Sequence, residues 1–336
     1  MDDSTTARRL REQIAKFSGV LSRGMGKVAS RFLREMVYGI QASESVKLSE
    51  IARALHEEIA VKKTHERLVR QLGREGLGER LQENLLRYAA GRVGTDSLLV
   101  LDVSEVTKRY ARKMQYLSKV RDGTDGEIKP GYWTMNVIAT DTGGKHVVPL
   151  YHKLYSANAP EFESENVEML AAVDAVGKQV HGRGIWVIDR GGDRKEVIVP
   201  LANDGARFII RLRGDRDLVC GTTRASALEL ARDCPCPYTE TVVKGKGGDR
   251  KVYDISFGFR RVKLPAELRC TRQLWLLVVN GFGETPLMLL TTEPLRRKRA
   301  VLWKIASSYF RRWGIEETIR YVKQSYGLED VRVLRY

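Results

Sequence analysis

Tyr309, Arg312, Glu316 and Lys323 are spaced three, four and seven residues apart. At about 100° per residue these positions gather within roughly 60° on one face of a helix. Arg320 falls in the same arc, whereas Glu317 points about 100° away from Glu316. One carboxylate set among cations and a phenol suits a site that holds a metal ion and phosphates together. A solvated basic helix with one internal ion pair would carry similar residues, so the reading depends on further carboxylates. Two stand at the ends of apolar runs: Asp102 after Ser97-Leu-Leu-Val-Leu, and Asp189 after Gly184-Ile-Trp-Val-Ile. Burying an unpaired charge is expensive. Each aspartate therefore either caps the following turn or finds another partner at a sheet edge. Two carboxylates that meet there repel unless a cation lies between them.

The elements that would position these residues follow from periodicity. Residues 1–92 read as helical: apolar positions recur at helical spacing, charges are dense and proline is absent. Leu48–Leu55 begins a helix with Ser49 as a plausible N-cap. The next helix, Lys62–Leu72, carries Lys62, Lys63, His65, Arg67 and Arg70. A basic second helix of this kind favours DNA contact by this part of the chain, without the specific helix-turn-helix motif that any bundle can imitate. Gly91-Arg-Val-Gly-Thr95 breaks the helical run.

Ser97–Val103, Tyr132–Asp141 and Lys145–Tyr151 read as strands, the last two joined by the hairpin signal Asp141-Thr-Gly-Gly144. A helix over Glu163–His181, the strand Gly184–Asp189, a helix opening near Asp193 as N-cap, and the strand Ala206–Arg211 follow. Alternation puts Ser104 on Asp102's side of its strand and Glu105 on the other. Residues 212–292 read as strands (Thr239–Val243, Lys251–Phe259, Leu274–Val279, Pro286–Thr291) separated by glycine-rich turns such as Lys244-Gly-Lys-Gly-Gly-Asp249. Trp275, in an apolar strand, reads as core. A closing helix spans Arg297–Tyr326.

The spacing Y-x2-R-x3-E-x6-K resembles the signature of the DDE transposases of bacterial cut-and-paste insertion sequences. That resemblance implies an α/β, ribonuclease-H-like mixed sheet over residues 95–211 and 293–336. A β-rich insertion at 212–292 would interrupt it, and an all-helical DNA-binding domain at 1–92 would precede it. It implies Asp102, Asp189 and Glu316 as the catalytic, metal-binding triad for two Mg²⁺ ions, with Mn²⁺ as a substitute. Tyr309, Arg312, Lys323, Arg320, Lys108 and Arg190 would contact DNA around the scissile phosphate, and Lys62, Lys63 and Arg67 would do so from the helical domain. The implied activity is cleavage at transposon ends and joining of the 3′ ends to target DNA, within a homodimeric synaptic complex. Family members continue well past the closing helix, whereas this sequence ends at Tyr336. The departure opens an alternative: a catalytically silent derivative that occupies transposon ends.

Composition agrees with a polyanionic partner. The formal charge is +16 over 336 residues, with an ordinary 43% hydrophobic content. Nucleic acid is the first candidate for such a charge excess. No apolar run approaches the ~20 residues needed to span a bilayer. The polar Met-Asp-Asp start reads as no signal peptide. Four cysteines make no disulfide framework and fit a reducing cytoplasm, where the protein would associate with the nucleoid. Cys234-Pro-Cys236 has a one-residue spacer and no nearby His, so free thiols are expected there rather than zinc.

Overall fold

Five helices come first in the computed structural model, which describes residues 3–123, 125–141, 143, 146–244 and 250–331. They are α1 (Asp3–Leu21), α2 (Lys27–Ser43), α3 (Leu48–Ala54), α4 (Val61–Leu72) and α5 (Leu77–Ala90). The first four close around Phe32, Leu33, Ile51 and Leu68. Helix α2 comes so near α3 that a Cβ at Gly39 would lie 2.5 Å from the Ile51 side chain. The N-cap of α3 is Lys47, with no side-chain bond, and not the expected Ser49. Helix α5 is apolar on two faces. Leu77, Leu81 and Leu85 pack on the helical core, while Leu86, Ala89 and Ala90 enter the core under the sheet. The Gln82 amide also donates to Leu150 O and accepts from His152 N, satisfying backbone groups of a sheet strand.

The sheet begins with β1 (Leu98–Thr107), β2 (Ser118–Arg121), β3 (Ile128–Thr140) and β4 (Val147–Tyr155). After α6 (Glu165–Gln179) come β5 (Ile185–Ile188), α7 (Lys195–Asn203) and β6 (Phe208–Arg211). A small hairpin, β7 (Asp217–Cys220) and β8 (Thr223–Ser226), leads into α8 (Ala227–Arg232). Then β9 (Tyr238–Lys244), β10 (Lys251–Val262), β11 (Leu274–Asn280) and β12 (Leu287–Thr291) precede α9 (Arg299–Phe310) and α10 (Trp313–Ser325). The fold is thus mixed α/β, with ten α-helices among the described residues. No helix among them is long and apolar enough to cross a membrane.

Among the described residues ten strands form one sheet, in the order β2-β3-β1-β5-β6-β12-β11-β10-β9, with β4 also paired to β3. Strands β1, β5 and β6 are parallel, and the remaining pairings are antiparallel. Strands β9–β12, from the segment expected to be an insertion, continue this sheet through the β6–β12 pairing. Side-chain alternation sorts the two faces. Leu99, Leu101, Ile188 and Ile210 face the layer that includes α5, α6, α7 and α8, whereas Leu98, Val100, Val187 and Ile209 face α9.

Local signals explain several differences from the sequence reading. The expected single closing helix is broken at Arg311–Arg312, where the Arg312 and Gly314 amides reach back only three residues, to Tyr309 O and Arg311 O. Gly314, a poor helix former, follows directly. Helix α7 is capped by Arg194 and not by Asp193. The buried Asp193 carboxylate instead accepts from the Arg213 amide and Arg216 Nε, each at 2.8 Å. Helix α8 carries a complete capping box, Ser226 with Glu229, whose serine and glutamate stand three residues apart in the sequence. Trp275 is half-buried against the core as expected. The hairpin signal Asp141-Thr-Gly-Gly144 and the turn Lys244–Asp249 fall largely outside the described residues.

Candidate active site

Asp102 and Asp189 occupy matching places on neighbouring strands. Strands β1 and β5 are parallel and pair Leu101 with Ile188, so the two aspartates are the next residues on each. Adjacent strands lie about 4.8 Å apart. Leu101 and Ile188 point into the core under the sheet, which turns both aspartates toward the face covered by α9 and α10.

The turn after β5 fixes Asp189. Its Oδ1 accepts from the Gly191 amide at 2.7 Å, capping the 3-10 turn Arg190–Gly192. A Cβ at Gly192 would come 2.6 Å from the Ile188 side chain, so this tight return requires glycine. Asp189 is therefore a cap as well as a candidate ligand.

Arg312 brings Glu316 to the same place. Its guanidinium donates to Asp102 Oδ1 at 3.0 Å and to Glu316 Oε1 at 2.7 Å, and Arg312 is only 7% exposed. Asp102 is held up to about 7, first by burial, against the nearby Arg312, and further by the charges of Asp189, Glu316 and Glu105. The charges of Asp189 and Glu316 thus both reach Asp102. The three acids do not stand as a ready cage: among the described residues no group of three or more His, Cys, Asp or Glu is arranged to hold a metal ion. Arg312 provides the positive charge between Asp102 and Glu316.

The raised Asp102 carboxyl sets a pH dependence. Its ordinary value is 3.8, so between about 4 and 7 the folded protein holds a proton that the unfolded chain releases. Stability contributed by that proton is complete below the unfolded value, falls as pH rises through the window, and levels off above about 7. Asp102→Asn should flatten this decline in urea unfolding followed across about pH 4 to 8. An equal decline in both proteins would contradict the assignment.

The other predicted residues divide sharply. Lys323 Nζ donates to Glu105 Oε1 at 2.9 Å, both side chains being largely buried. Glu105 was expected on the far side of the strand. Because β1 pairs β5 only as far as Leu101, the remainder of β1 has no partner strand on that flank among the described residues, and α10 reaches it there. Lys108, expected at a phosphate, is instead buried, and its ammonium donates to Leu328 O, Glu329 O and Val331 O. Burial pushes it down to about 8, against the raising charges of Glu329 and Asp330. Thr107 adds amide and hydroxyl bonds to Glu329 Oε1, each 2.9 Å. Tyr309 belongs to α9, not to the helix of Glu316. It is 1% exposed, with its ring centroid 6.0 Å from the Arg312 guanidinium, so it supports the arginine and has no access to a phosphate. Arg190 and Arg320 are exposed. In the helical part, Lys62 and Lys63 are exposed, but Arg67 is engaged by Glu35 at 2.5 Å and Glu57 at 2.8 Å. Arg67 is thus a cross-link within the helical part, its guanidinium already committed to two carboxylates.

Two participants, Glu329 and Arg211, were missed from sequence, and Glu105 was set aside as facing away from Asp102. Arg211 ends β6 at the same sheet edge, and its charge acts on Tyr309. Strand-end position flags Arg211 as it flagged the aspartates. Glu105 and Glu329 carry no such mark.

No protein-family model matches the chain, and no curated protein does. Among solved structures, a cryo-EM structure of the piggyBac transposase synaptic complex with hairpin DNA overlaps it at 10% sequence identity and a TM-score of 0.45. The overlap takes in 95% of this chain and 63% of that one, less than two thirds of its length. So loose an overlap carries neither fold nor activity across.

Proposed function

We propose that the protein is a DDE transposase that cuts DNA at transposon ends and joins the 3′ ends to target DNA. The observation that carries this reading is the exit of Asp102 and Asp189 from adjacent parallel strands at one level, with Glu316 beside them through Arg312. The strand order β4-β3-β1-β5-β6, two antiparallel pairings followed by two parallel ones, supports a ribonuclease-H-like core. Residues 1–92 would form its helical DNA-binding part and 212–292 the insertion before the last acid. The partner would be duplex DNA, held by a homodimer in the synaptic complex, in a bacterial nucleoid.

The donor chemistry fits hard divalent cations, since the charges of Asp189 and Glu316 act on Asp102 and all three carboxylates oppose one buried guanidinium. Two Mg²⁺ ions, or Mn²⁺ in their place, held by Asp102, Asp189 and Glu316, would supply Lewis acidity at the attacking and leaving oxygens. The chain's own contribution is charge and position. Arg312 would turn its fork from the carboxylates to a phosphate, and Arg190 and Arg320 would add cations at the rim. A water oxygen then bonds to phosphorus as the bond to the 3′ oxygen breaks. The freed 3′-hydroxyl in turn attacks a target phosphodiester and expels its 3′ oxygen.

A plasmid carrying the natural flanks of the coding sequence tests this. With Mg²⁺ the protein should nick at the flanks and yield joined products. The bridging of Asp102 and Glu316 by Arg312 favours a second reading, a silent end-binding protein, which predicts binding to the flanks without any cut. Cutting without joining or end preference would point to a nuclease.

A further inference from the structure

We propose that the groove between α1 and α5 binds the sugar–phosphate backbone of duplex DNA. This surface is distinct from the basic helix α4, and the choice of duplex DNA rests on the transposase reading. The groove is a cavity of about 390 Å³ lined by Lys16, Gly19, Arg23, Asn84, Arg87 and Tyr88, among others, with no carboxylate in its wall among the described residues. None of its three cations forms an ion pair with a described carboxylate. On α4, by contrast, Arg67 is committed to two glutamates.

The groove is also held in shape. The buried Asn84 amide donates to Leu21 O and Arg23 O, each at 2.9 Å, which ties the end of α1 to α5. Asn84 Oδ1 accepts from Arg87 at 3.3 Å. The Tyr88 ring lies edge-on to Phe17, and Arg92 sits 4.1 Å above its centroid while donating to its hydroxyl. A fixed concave row of cations beside a pinned aromatic suits repeated phosphates better than a single small anion. Gly19 leaves the centre open, since a Cβ there would meet nothing within 4 Å.

That open position provides the test. Gly19→Glu and Gly19→Gln place side chains of similar size in the groove without a clash, and differ by one charge. Binding of the intact protein to a random-sequence duplex of about 30 base pairs is followed by fluorescence polarisation at several salt concentrations. Gly19→Glu should weaken binding at least about fivefold and lower the salt slope by about one, with Gly19→Gln within about twofold of the parent. Equal binding by parent and Gly19→Glu, or an equal loss in both variants, would overturn the groove proposal while leaving cleavage at the acids untouched. A preference for single-stranded RNA of the same length would overturn it too. Absence of duplex binding by the parent protein would remove the transposase reading along with it.

Discussion

Arg312→Ala should cost about 3–5 kcal/mol of stability and abolish any DNA cleavage. The guanidinium neutralises Asp102 and Glu316 together, and Asp102 is already held up to about 7 mainly by burial. Above about pH 7, where Asp102 is ionised, removing the cation leaves a buried carboxylate without its partner, facing Asp189 and Glu316. That situation is far costlier than losing an exposed ion pair, which is worth about 0–1 kcal/mol. The double variant Arg312→Ala with Asp102→Asn should recover most of the loss, because charge and counter-charge leave together. Urea unfolding of the two single variants and the double closes the cycle. Additive losses would mean that the pair is not coupled. Lys323→Ala serves as the comparison: it breaks only the pair with Glu105 and should be milder.

The second large effect concerns the acids themselves. Asp102→Asn, Asp189→Asn and Glu316→Gln should each lower cleavage by about 10³-fold or more while leaving DNA binding measurable. The amides keep shape and hydrogen bonding but remove the charge that a divalent cation needs. Glu317→Gln, on the exposed side of α10, should stay within about twofold. A large loss with Glu317→Gln and little with Glu316→Gln would reverse the assignment of the helix face. Retained cutting in all three acid variants would leave this edge of the sheet without a catalytic part.

Much of this site was legible in the sequence because strand and helix periodicity speak directly. The apolar runs before Asp102 and Asp189 marked strand ends, and the structure has both at the same level of adjacent parallel strands. The helical spacing of Arg312, Glu316 and Lys323 also reflects a real alignment along one element. What it encodes here is a seam with β1, in which Asp102 meets Arg312, Glu105 meets Lys323, and Thr107 and Lys108 hold residues 328–331. That seam was not legible, because it depends on β1 outrunning β5, a property of strand pairing and not of either segment alone. Lys108 looked like a phosphate ligand for the same reason: sequence gives its charge but not the three carbonyls around it. Tyr309 was placed in the stripe by a count that assumed an unbroken helix, and the tight turn at Arg312 moved it into the core. The continuation of the sheet through β12 likewise rests on a long-range pairing that no local pattern announces.

The most direct measurement is a Mn²⁺ titration followed by paramagnetic resonance, comparing the parent protein with the Asp102→Asn, Asp189→Asn and Glu316→Gln variants. If the three carboxylates form one site, the parent binds the ion and each substitution weakens that binding at least about tenfold. Arg312→Met, which frees Asp102 and Glu316 from their counter-charge, should tighten it. Binding that is absent in the parent, or unchanged in all three acid variants, would contradict the account.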